Sequence, residues 1–174
     1  MSLTGHGYRR RMLLGMLAVA SPALLAGTVA APATHAVPVV QWELVGAAAG
    51  TEGLDPALVV AYTLAEDAAH AAGVPLWINS GYRTHAEQQA LWEDGIATYG
   101  SPDEARRWVL PPEESTHVAG HAVDVGPRVG AQWLEVHGNR WGLCRTYQNE
   151  WWHFELATLP GAPCPPLRAD ASER

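Results

Sequence analysis

The chain has 174 residues, 48% of them hydrophobic and 17% charged, with eight Trp and a formal net charge of −7. That composition suits one globular domain with a real core. The acidic balance argues against nucleic acid as a partner, because phosphate binding needs a basic face.

Residues 1–36 read as an export signal. Arg9, Arg10 and Arg11 form a positive start, an apolar run follows from Met12 to Ala20, and Ser21-Pro22 interrupts it. "THA" at 34–36 ends on a small residue, as a cleavage site requires. The run is too short and too broken for a membrane span, which needs roughly 20 apolar residues. The paired arginines also suit the twin-arginine route, and the sequence leaves both export routes open. Without residues 1–36 the chain keeps eight Arg against 18 acids, a formal charge of −10. In an exported chain Cys144 and Cys164 are expected to pair, tying the C-terminal segment to the stretch before "NEWWHFEL".

After a lead-in over 37–53, "LDPALVVAYTLAEDAAHAAG" at 54–73 carries helix signals at both ends. Asp55 is the N-cap, Pro56 the first helical residue and Gly73 the stop. Leu58, Tyr62, Ala65 and Ala69 share its apolar face. "VPLWIN" at 74–79 reads as a strand. Residues 84–95 read as a helix with a Thr84/Glu87 capping box, closing near Gly95. A short helix over 102–109, a strand over 121–125, a helix over 129–140, and extended segments over 142–147 and 151–156 complete the order. Mixed helices and short strands predict an α+β domain over 37–166, with a small, mostly antiparallel sheet flanked by helices. Residues 167–174 are expected to form a loose tail, and a monomer is favoured. Trp77, Trp92, Trp108, Trp133 and Trp141 fall at positions that suit core packing.

Chemistry concentrates in "EESTHVAGHAVDVG" at 113–126 and "NEWWHFEL" at 149–156, where His117, His121, Asp124, Glu150, His153 and Glu155 are candidate metal ligands. His117 and His121 have the spacing of a helical His-Glu-x-x-His zinc motif, but position 118 is Val and Gly120 would sit inside the helix at a cost of about 1 kcal/mol. "HFE" and "PC" mimic half of a zinc deaminase signature, but position 167 is Leu where the second Cys belongs. His117, Asp124 and His153 instead make a two-imidazole, one-carboxylate set with an open fourth position, the arrangement of a catalytic zinc. Glu150, three residues before His153, belongs in the turn entering that strand, beside the metal but not on it. Such a carboxylate can carry the water's proton to a leaving group.

"STHVAGHAVD" at 115–124 matches Ser-x-His-x-x-Gly-x-Ala-x-Asp, "EWWH" at 150–153 matches Glu-x-Trp-His, and "SGYRTHAEQ" at 80–88 matches an upstream Ser-Gly-Tyr-Arg…Gln element. In this order the three motifs resemble the zinc D-alanyl-D-alanine carboxypeptidases and dipeptidases. That family includes vancomycin-resistance enzymes and shares its fold with the hedgehog signalling domain. The resemblance implies Zn2+ held by His117, Asp124 and His153, Glu150 as catalytic base, and Arg83 facing the substrate oxyanion or carboxylate. It also implies that Tyr82, Gln88, Ser115 and Trp152 line the pocket, and that the substrate is a peptidoglycan stem peptide. The residue before the motif's Trp, often Pro in these enzymes, is Trp151 here, and it is the better candidate for a ligand surface. His121 fills a variable position and reads as structural or rim-exposed; His85 reads as exposed, and Glu113 and Glu114 as a solvated loop. A D-alanyl-D-alanine carboxypeptidase, a cell-wall endopeptidase with the same metal chemistry, and a catalytically silent zinc module remain distinct functions for this ligand set.

Overall fold

The computed structural model describes residues 47–174. The export signal and residues 37–46 of the lead-in lie outside the described residues. Asp55 caps helix α1 (Pro56–Ala71) by accepting from the Ala57 N–H at 2.8 Å. The predicted apolar face of α1 is buried: Leu58, Tyr62, Ala65 and Ala69 are at most 1% exposed. Strand β1 (Trp77–Ser80) follows, then α2 (His85–Tyr99), whose Thr84/Glu87 capping box forms as expected. α2 runs past Gly95, which faces the Val109 side chain closely enough to leave no room for a Cβ. The stop is Gly100, at φ +86°. Of the helix expected over 102–109, only α3 (Pro102–Ala105) forms.

β2 (Ala122–Gly126), α4 (Arg128–His137), a 3-10 turn (Gly138–Trp141), β3 (Leu143–Arg145) and β4 (His153–Leu156) complete the frame. The four strands form one antiparallel sheet in the order β1-β2-β4-β3. Alternation along each strand sorts side chains between two faces. Ile78, Val123, Val125, Leu143 and Phe154 enter the core, where α1 and α4 pack. Ala122, Asp124, His153 and Glu155 take the other face, and the register sets Asp124 directly opposite His153. The architecture is the expected α+β arrangement.

Two sets of expectations are corrected by packing. Trp77 and Trp108 are 49% and 42% exposed rather than core residues, while Trp133 and Trp141 do pack against the core. Trp151 also packs there, half-buried, with the Arg128 guanidinium 5.3 Å from its ring centroid. Residues 167–174, expected as a loose tail, return to the domain. Arg168 bridges Tyr147, and Ala171 is buried with Leu110 and Tyr147. Cys144 and Cys164 are joined in a disulfide. Among the described residues, no helix is long and apolar enough to cross a membrane.

Candidate active site

Three structural elements converge on one point. His117 sits in the loop of turns at 115–120, Asp124 in β2 and His153 at the start of β4. The loop is held to α1 by Asp55, whose N–H donates to the Gly120 carbonyl at 2.8 Å. Gly120 has φ +73°, and a Cβ there would lie 2.8 Å from the Gly53 carbonyl oxygen. That close, left-handed turn is why "HVAGH" forms no helix.

His117 Nε2, Asp124 Oδ1 and His153 Nδ1 stand 3.1–3.3 Å from one another. In a tetrahedral site with metal–ligand bonds of about 2.0–2.1 Å, ligand atoms lie about 3.3–3.4 Å apart. The donor set and its spacing therefore fit one divalent ion with an open position. They form the one such cluster among the described residues.

The other ring nitrogens are committed in the directions such a site needs. His117 Nδ1–H donates to the Gly81 carbonyl at 2.7 Å, leaving Nε2 as the free lone pair. His153 Nε2–H donates to Glu155 Oε1 at 3.0 Å, so Nδ1, 3.1 Å from Asp124 Oδ1, is the nitrogen turned to the cluster. Glu155 is thus a partner of His153 rather than a member of the converging cluster. Burial alone would raise its carboxyl, but hydrogen bonds from His153 and Arg174 outweigh this and bring it down to about 2. Burial alone would lower His153, but its bonds to Asp124 and Glu155 raise it to about 9. Asp124, despite its burial, is held well below the usual carboxylate range by His117 and His153.

Arg83 is anchored along its length. Its Nε donates to Ser80 Oγ at 3.0 Å, Nη1 to Gln88 Oε1 at 3.2 Å and Nη2 to Asp124 Oδ2 at 2.7 Å. Gln88, 1% exposed, passes the chain of bonds on to the Leu110 carbonyl. Glu150 lies in the turn entering β4, with Oε2 3.8 Å from His153 Nδ1. Burial, against the pull of His153, holds its carboxyl up to about 7.

A cleft of about 120 Å³ opens over the cluster, lined by Arg83, Gln88, Ser115, Glu150, Trp152 and the three converging residues. Tyr82 is not among them. It is 44% exposed, borders an outer groove with Glu87 and Leu91, and lays its ring against Gly53. His121 is exposed beside a separate depression with Asp55 and Leu58. His85 pairs with Glu113 on the surface at 3.0 Å, and Glu114 pairs with Arg106. Sequence reasoning missed Thr116, Tyr147, Ala171 and Arg174. Thr116 Oγ1 donates to Glu155, the Tyr147 ring centroid lies 5.2 Å from that of His153, and Ala171 completes the cleft wall. Period-two alternation could have placed Glu155 on the face of His153. No local signal marks Tyr147 or Arg174.

The profile of the D-alanyl-D-alanine carboxypeptidase (VanY) family matches residues 51–158, a span that holds all of α1 to β4 and the converging residues. The chain belongs to this family. A D-alanyl-D-alanine carboxypeptidase from Enterococcus faecalis is 32% identical over 122 residues, covering 55% of this chain and 45% of the relative. The chain thus spans less than half the length of that curated carboxypeptidase. Among solved structures, the D,D-pentapeptidase VanY of a VanB-type vancomycin-resistance cassette, in complex with Zn(II), superposes with a TM-score of 0.55. Identity is 28%, over 59% of this chain and 71% of that one. VanYB in complex with D-alanine-D-alanine gives the same TM-score and identity, over 70% of its chain. The LD-carboxypeptidase LdcB, at 22% identity and a TM-score of 0.52, shares the fold.

Proposed function

We propose that this carboxypeptidase-family protein is a zinc-dependent D-alanyl-D-alanine carboxypeptidase that trims peptidoglycan stem peptides outside the cytoplasm. The observation that carries the reading is the triangle of His117, Asp124 and His153, open on the cleft side, with Glu150 beside it. Zinc bound by those three residues supplies a Lewis acid for the scissile carbonyl and lowers the pKa of an attacking water.

The remaining work falls to the chain's own groups. Glu150, in the turn beside His153, takes the water's proton and delivers it to the departing amine. Arg83 fixes Asp124 and lends positive charge to the cleft wall, where an oxyanion or a terminal carboxylate would face it. Gln88 and Ser80 keep its guanidinium in place, and Ser115 and Trp152 border the substrate.

Digestion of muropeptides that end in D-alanyl-D-alanine, read by mass spectrometry, tests this. Loss of a single alanine that stops on chelation and returns with zinc is the expected result. Halved stems would make the protein an endopeptidase instead, and no hydrolysis by the zinc-loaded protein would leave a silent module. Glu150→Gln is expected to keep zinc and lose about 10²- to 10⁴-fold in kcat; undiminished turnover would remove Glu150 from the base role.

A further inference from the structure

We propose that Arg174 is a positioning residue of the metal centre, acting through Glu155 to aim His153 Nδ1 at the ion. The inference rests on the reading of His117, Asp124 and His153 as metal ligands.

Residues 168–174 lie beyond the family match, which ends at 158, yet they are built into the site. Arg168 adds backbone bonds at the open edge: its N–H donates to the Thr146 carbonyl at 3.1 Å, and its carbonyl accepts from Gln148 at 2.9 Å. Asp170, 7% exposed, takes Arg107 Nε at 3.0 Å and caps the following turn through the Ser172 N–H. These anchors deliver Arg174, whose Nη1 donates to Glu155 Oε1 at 2.9 Å and to the Tyr147 hydroxyl at 3.0 Å.

Glu155 Oε1 is the same oxygen that receives His153 Nε2–H at 3.0 Å and Thr116 Oγ1–H at 3.1 Å. Three donors from three segments fix one acceptor atom, and that atom sets both the tautomer and the ring angle of His153. Among the described residues, Arg174 is the one arginine paired with Glu155. Without Arg174 the carboxylate can rotate, and the imidazole loses its fixed partner. Loss of such an outer partner typically weakens metal affinity about 10- to 100-fold.

The sign separates orientation from charge. Deleting a cation near a divalent ion would, by Coulomb's law alone, tighten binding. The test is zinc affinity, measured on the full chain by competition with a chromophoric chelator, alongside the melting temperature of the chelated protein. Arg174→Met is expected to bind zinc about tenfold more weakly, with Arg174→Lys recovering most of the loss. In a Glu155→Gln background, Arg174→Met should add little, since both act through one atom. Equal or tighter zinc binding by Arg174→Met overturns the proposal. So do fully additive losses in the double variant, read among variants whose melts show them folded, with Arg174→Lys standing in for Arg174→Met if the latter does not fold. Failure of the unsubstituted protein to bind zinc would instead sink the metal reading, and this inference with it.

Discussion

Gly120→Ala isolates how the loop carrying His117 is held. The backbone there has φ +73°, and alanine in the left-handed region costs about 1–2 kcal/mol. The new methyl would lie 2.8 Å from the Gly53 oxygen, 3.2 Å from the Asp55 nitrogen and 3.4 Å from Leu54 Cα. All three are backbone atoms, so no flexible side chain can move aside. Crowding of that kind costs about 1–3 kcal/mol, and the shift it forces weakens the bond from Asp55 N–H to the Gly120 carbonyl, worth about 0.5–1.5 kcal/mol. The stiffer unfolded chain offsets about 0.4–1 kcal/mol. The net loss is about 2–4 kcal/mol, which for a domain of this size lowers the Tm by roughly 10 °C. Gly73 is the control: its φ is +74°, but nothing lies within 4 Å of a Cβ there. Gly73→Ala should therefore cost only the conformational part, roughly 3 °C. Thermal melts of both variants in chelator make the comparison. If the two melt together, the backbone clash is not what shapes this loop, and the account of why "HVAGH" forms no helix fails.

The metal-free protein should show a stability maximum in mild acid, followed by thermal melts across pH in chelator. Glu155 is lowered from its ordinary 4.5 to about 2, so its contribution is complete above 4.5 and lost as the pH falls to 2. His153 is raised from 6.5 to about 9, so its contribution is complete below 6.5 and lost as the pH rises through 9. Zinc should reverse the alkaline limb, because binding needs His153 deprotonated; a flat alkaline limb in chelator would contradict the His153 environment. Replacing both Cys144 and Cys164 by Ala opens a loop of sequence separation 20. It should cost about 3 kcal/mol in denaturant titrations, whereas no change would mean that the disulfide adds no constraint to the unfolded chain. Tyr82→Phe should leave kcat/KM within about twofold, because the ring faces the outer groove; a large loss would return Tyr82 to the substrate pocket.

Much of the fold was legible because its signals are local. Asp55, Pro56 and the Leu58/Tyr62/Ala65 spacing mark α1 within one stretch of chain, and Thr84 with Glu87 marks the start of α2. Helix ends were less so. Gly95 looks like a stop, yet its lack of a side chain serves contact with Val109, which is distant in sequence. Tryptophans misled for the same reason: strand alternation places Trp77 on a face, but only neighbours decide whether that face is covered.

The sequence alone determined which groups could ligate a metal and act as a base, because residue type and motif spacing are properties of the chain: His117, Asp124, His153 and Glu150. Tertiary structure decided how they are held. The register that sets Asp124 against His153, the Gly81 carbonyl that selects the His117 tautomer, and the Arg83–Asp124 pair all join residues far apart in the chain. The tail shows the limit most clearly. "LRADASER" has the composition of a loose end, and only its contacts with Arg107, Tyr147 and Glu155 make it part of the site. Local composition carries no information about a partner that folding alone brings near.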